Sequence, residues 1–206
     1  MKKTFQILAL LAIGVCFAFS LPNKGEPKRV INVVIDAGHG GKDHGATYNE
    51  FAEKQITDAI TSKIKVLNND KEVVLHFTRQ GDEFTDLSKR VATVNTIKPD
   101  LMLSLHVNYT KHDEASGMEF YVNKNGVNGE KSDMYATRLS DKFKDKGFKV
   151  RGVKTAPFWT LTKSEVPAVH VELGFLSNEI DRGYLTSVAS QNEIAGIVTE
   201  FLNEIK

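Results

Sequence analysis

Residues 30–41 read VINVVIDAGHGG, and this stretch decides how the rest of the chain is read. Val30 to Asp36 is an apolar, β-branched run, the pattern of a strand buried on both faces. It runs into Asp36-Ala37-Gly38-His39-Gly40-Gly41, so charge and imidazole appear where the strand stops. A Gly-rich loop follows to about Phe51. The spacing of Ile56, Ile60, Ile64 and Leu67 predicts a helix over about 53–69, opened by Glu53.

Outward from this unit the alternation repeats. Strands are predicted at 72–78 (EVVLHFT), 101–107 (LMLSLHV), 117–122 (GMEFYV) and 168–173 (AVHVEL). Helices are predicted over about 86–97 and 131–146. The clearest is the last, where Ile194, Ile197, Val198, Phe201, Leu202 and Ile205 form one apolar stripe. Apolar strands alternating with helices imply an α/β fold: a single domain with a mostly parallel twisted sheet and helices on both faces. No repeat and no second domain interrupts the pattern.

The first 28 residues differ. Met1-Lys2-Lys3 is basic, Phe5 to Phe19 is almost wholly apolar, and Ala18-Phe19-Ser20 is a small-x-small site. That is the three-part form of a secretory signal peptide over 1–20. The apolar run falls short of the roughly 20 residues a membrane span needs. Residues 21–28 (LPNKGEPK) read as a short polar linker, leaving 29–206 as the functional domain. Cys16, the single cysteine, lies in the signal, and Val15 stands directly ahead of it where lipidation wants a small residue. The mature chain then has no disulfide, no thiol nucleophile and no thiolate ligand. Any metal must be held by His, Asp or Glu. A formal charge of +1 argues against a nucleic-acid partner.

In open α/β sheets, sites form beyond the carboxyl ends of the strands. His39 follows the first strand, His106 ends the third and Glu172 ends the late one, while Glu53 opens the first helix. Two histidines and two glutamates thus converge from distant segments. Zinc accepts a set of two His and one carboxylate with water in the fourth position, and a further carboxylate serves as general base. Each residue also has an ordinary reading: His106 as a packed strand-end side chain, Glu53 as a first-turn charge favourable to the helix dipole. Glu172 is harder to dismiss, because a carboxylate ending an apolar strand is costly without a partner. The Gly38-x-Gly40 pair does not make a nucleotide loop. The next glycine of a dinucleotide fingerprint would fall at Asp43, which also stands where a P-loop needs Ser or Thr.

At these residues the chain resembles the zinc-dependent N-acetylmuramoyl-L-alanine amidases of the amidase 3 family. The likeness is carried in order by Ile35 to Gly41, Glu53-Lys54, Thr78-Arg79 with Asp82, Leu87, Arg90 and Asn95, then Ser104 to Asn108. Gly117 to Phe120, Arg151-Gly152-Val153, Pro167-Ala168 and Val171 to Asn178 complete it. It covers nearly all of the chain after the linker. It implies one zinc ion per chain held by His39, Glu53 and His106, with Glu172 as the catalytic carboxylate. It implies peptidoglycan as substrate, cut between N-acetylmuramic acid and L-alanine, after secretion into the periplasm or cell envelope. With the signal cleaved no membrane span is expected, and a divisome or activator protein is a candidate further partner.

The competing readings are another zinc peptidase or deacetylase of the cell wall, and a non-catalytic peptidoglycan-binding module, against which all four site residues are retained. Some relatives block the zinc cleft with an extra helix. The stretch between Val122 and Val150 has room for one core helix, so an open site is expected. Two residues depart from the family pattern. His44 replaces a frequent Pro and is expected to be a loop residue. His170 shares the strand face of Glu172, where it can orient that carboxylate or meet substrate. His76 and His112 are read as structural or exposed.

Overall fold

The computed structural model describes residues 29–206; the signal and linker segments expected over 1–28 lie outside them. The elements run β1 (Ile31–Ala37), β2 (Thr47–Tyr48), β3 (Phe51–Ala52), α1 (Glu53–Leu67), β4 (Val73–Phe77), α2 (Leu87–Ile97), β5 (Leu101–Asn108) and β6 (Met118–Val122). They continue through α3 (Gly129–Asp145), β7 (Val150–Thr155), α4 (Trp159–Lys163), β8 (Ala168–Phe175), α5 (Glu179–Thr186) and α6 (Val188–Glu204).

Six strands form one sheet in the order β4-β1-β5-β8-β6-β7. The first four are mutually parallel; β6 and β7 are parallel to each other and antiparallel to β8. The expected fold class holds. β1 shows why, since alternate residues go to opposite faces. Ile31, Val33 and Ile35 enter the larger core, with Ile56, Ile60 and Ile64 of α1 and Ile194, Val198 and Phe201 of α6. Val34 enters the smaller core on the other face, with Val94 of α2, Met102, Leu161 of α4 and Ala168. A strand covered on both sides is apolar except where a polar side chain finds partners, as Asn32 does with His76 and Asp36 with Arg90.

From β1 the chain passes outward to β4 and then back across β1 to β5. The carboxyl ends of β1 and β5 therefore flank the point where strand order reverses, the place where α/β sheets bind ligands. Helix starts are set locally. Asp86 accepts the Lys89 N–H at 2.9 Å and Asn178 the Asp181 N–H at 3.0 Å. At α1, Gln55 Oε1 takes the Ala52 N–H at 3.2 Å, which fixes the helix start at Glu53.

Candidate active site

His39 sits in the turn after β1 with φ of 60°, a left-handed conformation that costs energy for a non-glycine residue. Two arginines hold it there. Arg79 donates from Nε to the Ala37 carbonyl at 3.0 Å and from a terminal nitrogen to that of Gly38 at 3.3 Å. Arg90 donates to the carbonyls of Ala37, at 2.6 Å, and of His39. Successive carbonyls are thereby drawn to one side and the imidazole is turned inward. Its Nδ1 lies 2.8 Å from Asp43 Oδ2 and its Nε2 3.1 Å from Glu53 Oε2.

Glu53 is 3% exposed, at the first position of α1. Its Oε1 lies 2.8 Å from His106 Nδ1 and accepts the Val107 N–H at 2.9 Å; its Oε2 accepts the Ala46 N–H at 2.9 Å. These contacts overcome the cost of burial and hold its carboxyl far below the usual carboxylate range. Burial disfavours the charged form of His39, but the Glu53 and Asp43 carboxylates outweigh it and push the imidazole up to about 9. One donor atom from each of His39, Glu53 and His106 lies within 4.8 Å of the others.

The backbone leaves room for this group. A Cβ on Gly38 would stand 2.5 Å from the His106 ring, and one on Gly45 2.4 Å from Glu53 Oε2. Glycine at both positions is a condition of the cluster. Beside it opens a cavity of about 320 Å³, lined by Asp36, His39, Phe84, Leu87, Arg90 and His106.

On the far side of His106 stands β8. Register pairs His106 with Glu172, and Glu172 with Glu119 across the antiparallel junction to β6. His170 is 6% exposed and stacks on His106, with ring centroids 4.3 Å apart and planes 19° apart. Its Nε2 lies 2.9 Å from Glu172 Oε1. A carboxylate can only accept, so Nε2 is the donor. Burial, with the His106 charge adding to it, holds His170 below the ordinary imidazole range. Among the described residues Glu172 Oε2 and His170 Nδ1 are buried without a hydrogen-bond partner. His106, His170 and Glu172 form a second close group that shares His106 with the first.

The sequence matches the family described as N-acetylmuramoyl-L-alanine amidase, Amidase_3, over residues 33–204. The chain belongs to this family. It is accordingly a peptidoglycan amide hydrolase. It is 32% identical to YqiI of Bacillus subtilis over 199 residues, 96% of this chain and 95% of that protein. It is 30% identical to the N-acetylmuramoyl-L-alanine amidase LytC of Bacillus subtilis over 164 residues, 79% of this chain but 33% of LytC. The catalytic domain of the N-acetylmuramoyl-L-alanine amidase CwlV from Bacillus (Paenibacillus) polymyxa var. colistinus superposes with a TM-score of 0.78 at 28% identity, covering 85% of this chain and 97% of that domain.

Within this amidase fold the four residues singled out in the sequence stand at one edge of the sheet. His44 is an exposed loop residue whose carbonyl accepts the Lys54 N–H at 3.3 Å. His76 Nε2 bonds Asn32 Oδ1 at 3.0 Å on the β4 side, and the His112 side chain is 79% exposed. Sequence reasoning left three groups without a role. Asp43 orients His39. Asp36 accepts from Arg90 at 2.7 Å and Ser104 at 2.7 Å, and from Thr78. Glu119 accepts from Arg151 at 2.7 Å, Tyr121 at 2.7 Å, Asn108 at 3.1 Å and Lys154. The available signal was a carboxylate inside an apolar strand, as in Met118-Glu119-Phe120, which demands partners that spacing cannot name. A cavity of about 430 Å³ elsewhere, between β6 and α5, contains Asp181. That carboxylate is already taken by the N–H groups of Gly117 and Phe175 and the Ser116 hydroxyl.

Proposed function

We propose that the chain hydrolyses the amide between the lactyl group of N-acetylmuramic acid and the first L-alanine of the stem peptide, with one zinc ion per chain held by His39, Glu53 and His106. The observation that carries this reading is a buried carboxylate wedged between two imidazoles in a cradle that a Cβ at Gly38 or Gly45 would fill. This donor set suits zinc in a catalytic site. When bound, the ion would supply Lewis acidity, polarising the amide carbonyl and acidifying water.

The rest of the chemistry belongs to the chain. Glu172 Oε2, with no partner among the described residues, accepts the proton of the attacking water and returns it to the leaving L-alanine nitrogen. His170 occupies Oε1 and so orients the carboxylate with Oε2 free. Asp43 fixes the His39 ring, as carboxylates beside metal-binding histidines do. The side chains of His39, His106 and Glu172 are 24%, 19% and 13% exposed, so the group borders solvent, while Glu172 Oε2 itself is buried. Between β6 and β7 the chain forms one helix, α3, packed against the sheet and α6. Activity then requires no activator protein.

The chain acts in the periplasm or cell envelope, after removal of a signal peptide over 1–20, with 21–28 as linker and 29–206 as catalytic domain. No helix among the described residues is long and apolar enough to cross a membrane.

Digestion of purified peptidoglycan tests the reading. Wild type releases intact stem peptides with a new N-terminal alanine; a chelator or Glu172→Ala abolishes release. Cuts inside the stem would make the chain a peptidase instead. Zinc uptake with no release would remove the activator-free reading and leave a binding module or an activated enzyme.

A further inference from the structure

Glu119 lies directly across from Glu172 on the neighbouring strand. It is 3% exposed and gathers two cations on one oxygen: Arg151 Nε at 2.7 Å and Lys154 Nζ, both on Oε1. Tyr121 and Asn108 occupy Oε2. One negative charge thus faces two positive ones. The cations are far from saturated. Lysine carries three donors and arginine five. Among the described residues Lys154 Nζ has Glu119 as its one hydrogen-bond acceptor, while Arg151 adds a long contact to the Ser116 carbonyl at 3.4 Å. Their side chains are 40% and 38% exposed. Lys154 lies beside Tyr121, which faces His170 across the sheet, so the surplus positive charge shares the strand face of the proposed catalytic carboxylate.

The direction of the substrate follows. Glu172 returns its proton to the leaving nitrogen, so that nitrogen sits against β8. The acyl side then lies toward His39 and the Phe84–Leu87 cavity, and the peptide continues over β6 and β7. Neighbouring strands are about 4.8 Å apart, and an extended peptide advances about 3.5 Å per residue. The donors gathered at Glu119, one strand beyond Glu172, therefore meet the first or second residue past the scissile bond.

We infer that Lys154 and Arg151, clamped by Glu119, form a carboxylate subsite for the stem peptide, taking the free α-carboxylate of its second residue, a γ-linked D-glutamate. This deepens the amidase reading and rests on it. Calorimetric titration of the chain with the peptide L-alanyl-γ-D-glutamyl-L-lysine and with its α-carboxamide counterpart measures the subsite without any turnover. Wild type binds the carboxylate form about tenfold more tightly, the scale of one charge-assisted hydrogen bond. Lys154→Met equalises the two peptides, and Lys154→Arg restores most of the preference. Equal binding by wild type, no binding of either peptide, or a preference that survives Lys154→Met would overturn the inference. Wall digestion without a carboxylate preference sinks the subsite alone; a preference without digestion sinks the activator-free reading alone.

Discussion

Asp36 and Glu172 stand on parallel strands on either side of β5, and both carboxylates are largely withdrawn from water. Asp36 is saturated: Arg90, Thr78 and Ser104 account for both oxygens. Glu172 has His170 on one oxygen and no partner among the described residues on the other. A buried carboxylate with both oxygens engaged holds structure together, whereas one with an oxygen to spare is placed to accept from a reacting group. Arg90 joins the two regions, since it pairs with Asp36 and also holds the carbonyl of His39.

The largest effect expected from this contrast is functional. Glu172→Gln should lower turnover by roughly 10²–10⁴-fold, the usual worth of a positioned acid-base group, with little change in the urea midpoint. If turnover survives, Glu172 is not the proton carrier and the two carboxylates are not of different kinds. Arg90→Met should lower stability and, by releasing the His39 carbonyl, turnover as well. It leaves Asp36 charged and buried, costing about 3–5 kcal/mol in urea unfolding. The same pairing gives a pH signature. Burial alone would raise the Asp36 pKa, but Arg90 and the hydroxyl donors lower it overall. Its contribution is therefore present above the unfolded value near 4 and is lost as pH falls through the lower folded value.

A smaller effect sharpens the metal side. The Glu53 and Asp43 carboxylates push His39 up to about 9, so zinc held as proposed must displace a proton at pH 7. Affinity should rise about tenfold per pH unit for each proton released, and level off above pH 9. Calorimetry in two buffers of different ionisation enthalpy counts those protons. A pH-independent affinity would remove His39 from the ligand set. The smallest effect belongs to His170→Asn, which keeps a donor near Glu172 but loses the stack on His106. Turnover should fall less than tenfold, and His170→Ala should cost more. Equal behaviour of both variants and wild type would show that Glu172 needs no orienting partner.

The sequence was legible where local pattern and burial agree. The doubly apolar β1, β5 and β8, the first and last helices and the convergence of His39, Glu53, His106 and Glu172 on one sheet edge could all be read from it. It was not legible where elements are short or half exposed. The edge strand β7, Val150–Thr155, carries Arg151, Gly152 and Lys154 and shows no apolar run. The hairpin at 47–52 looked like part of a glycine loop, and the short helices α4 and α5 gave no extended stripe.

By itself, the order of residues determined the fold class, the family and the kinds of donor atom gathered at the site, because periodicity and motif order are properties of the chain. Only the tertiary structure decided that β6 and β7 run against the other strands, that Glu119 faces Glu172 with two cations behind it, and which oxygen of Glu172 stays free. Those facts depend on cross-strand register between segments as far apart as Glu119 and Glu172 or Tyr121 and Lys154. Register is set by how the two cores pack, and no local stretch of sequence contains it.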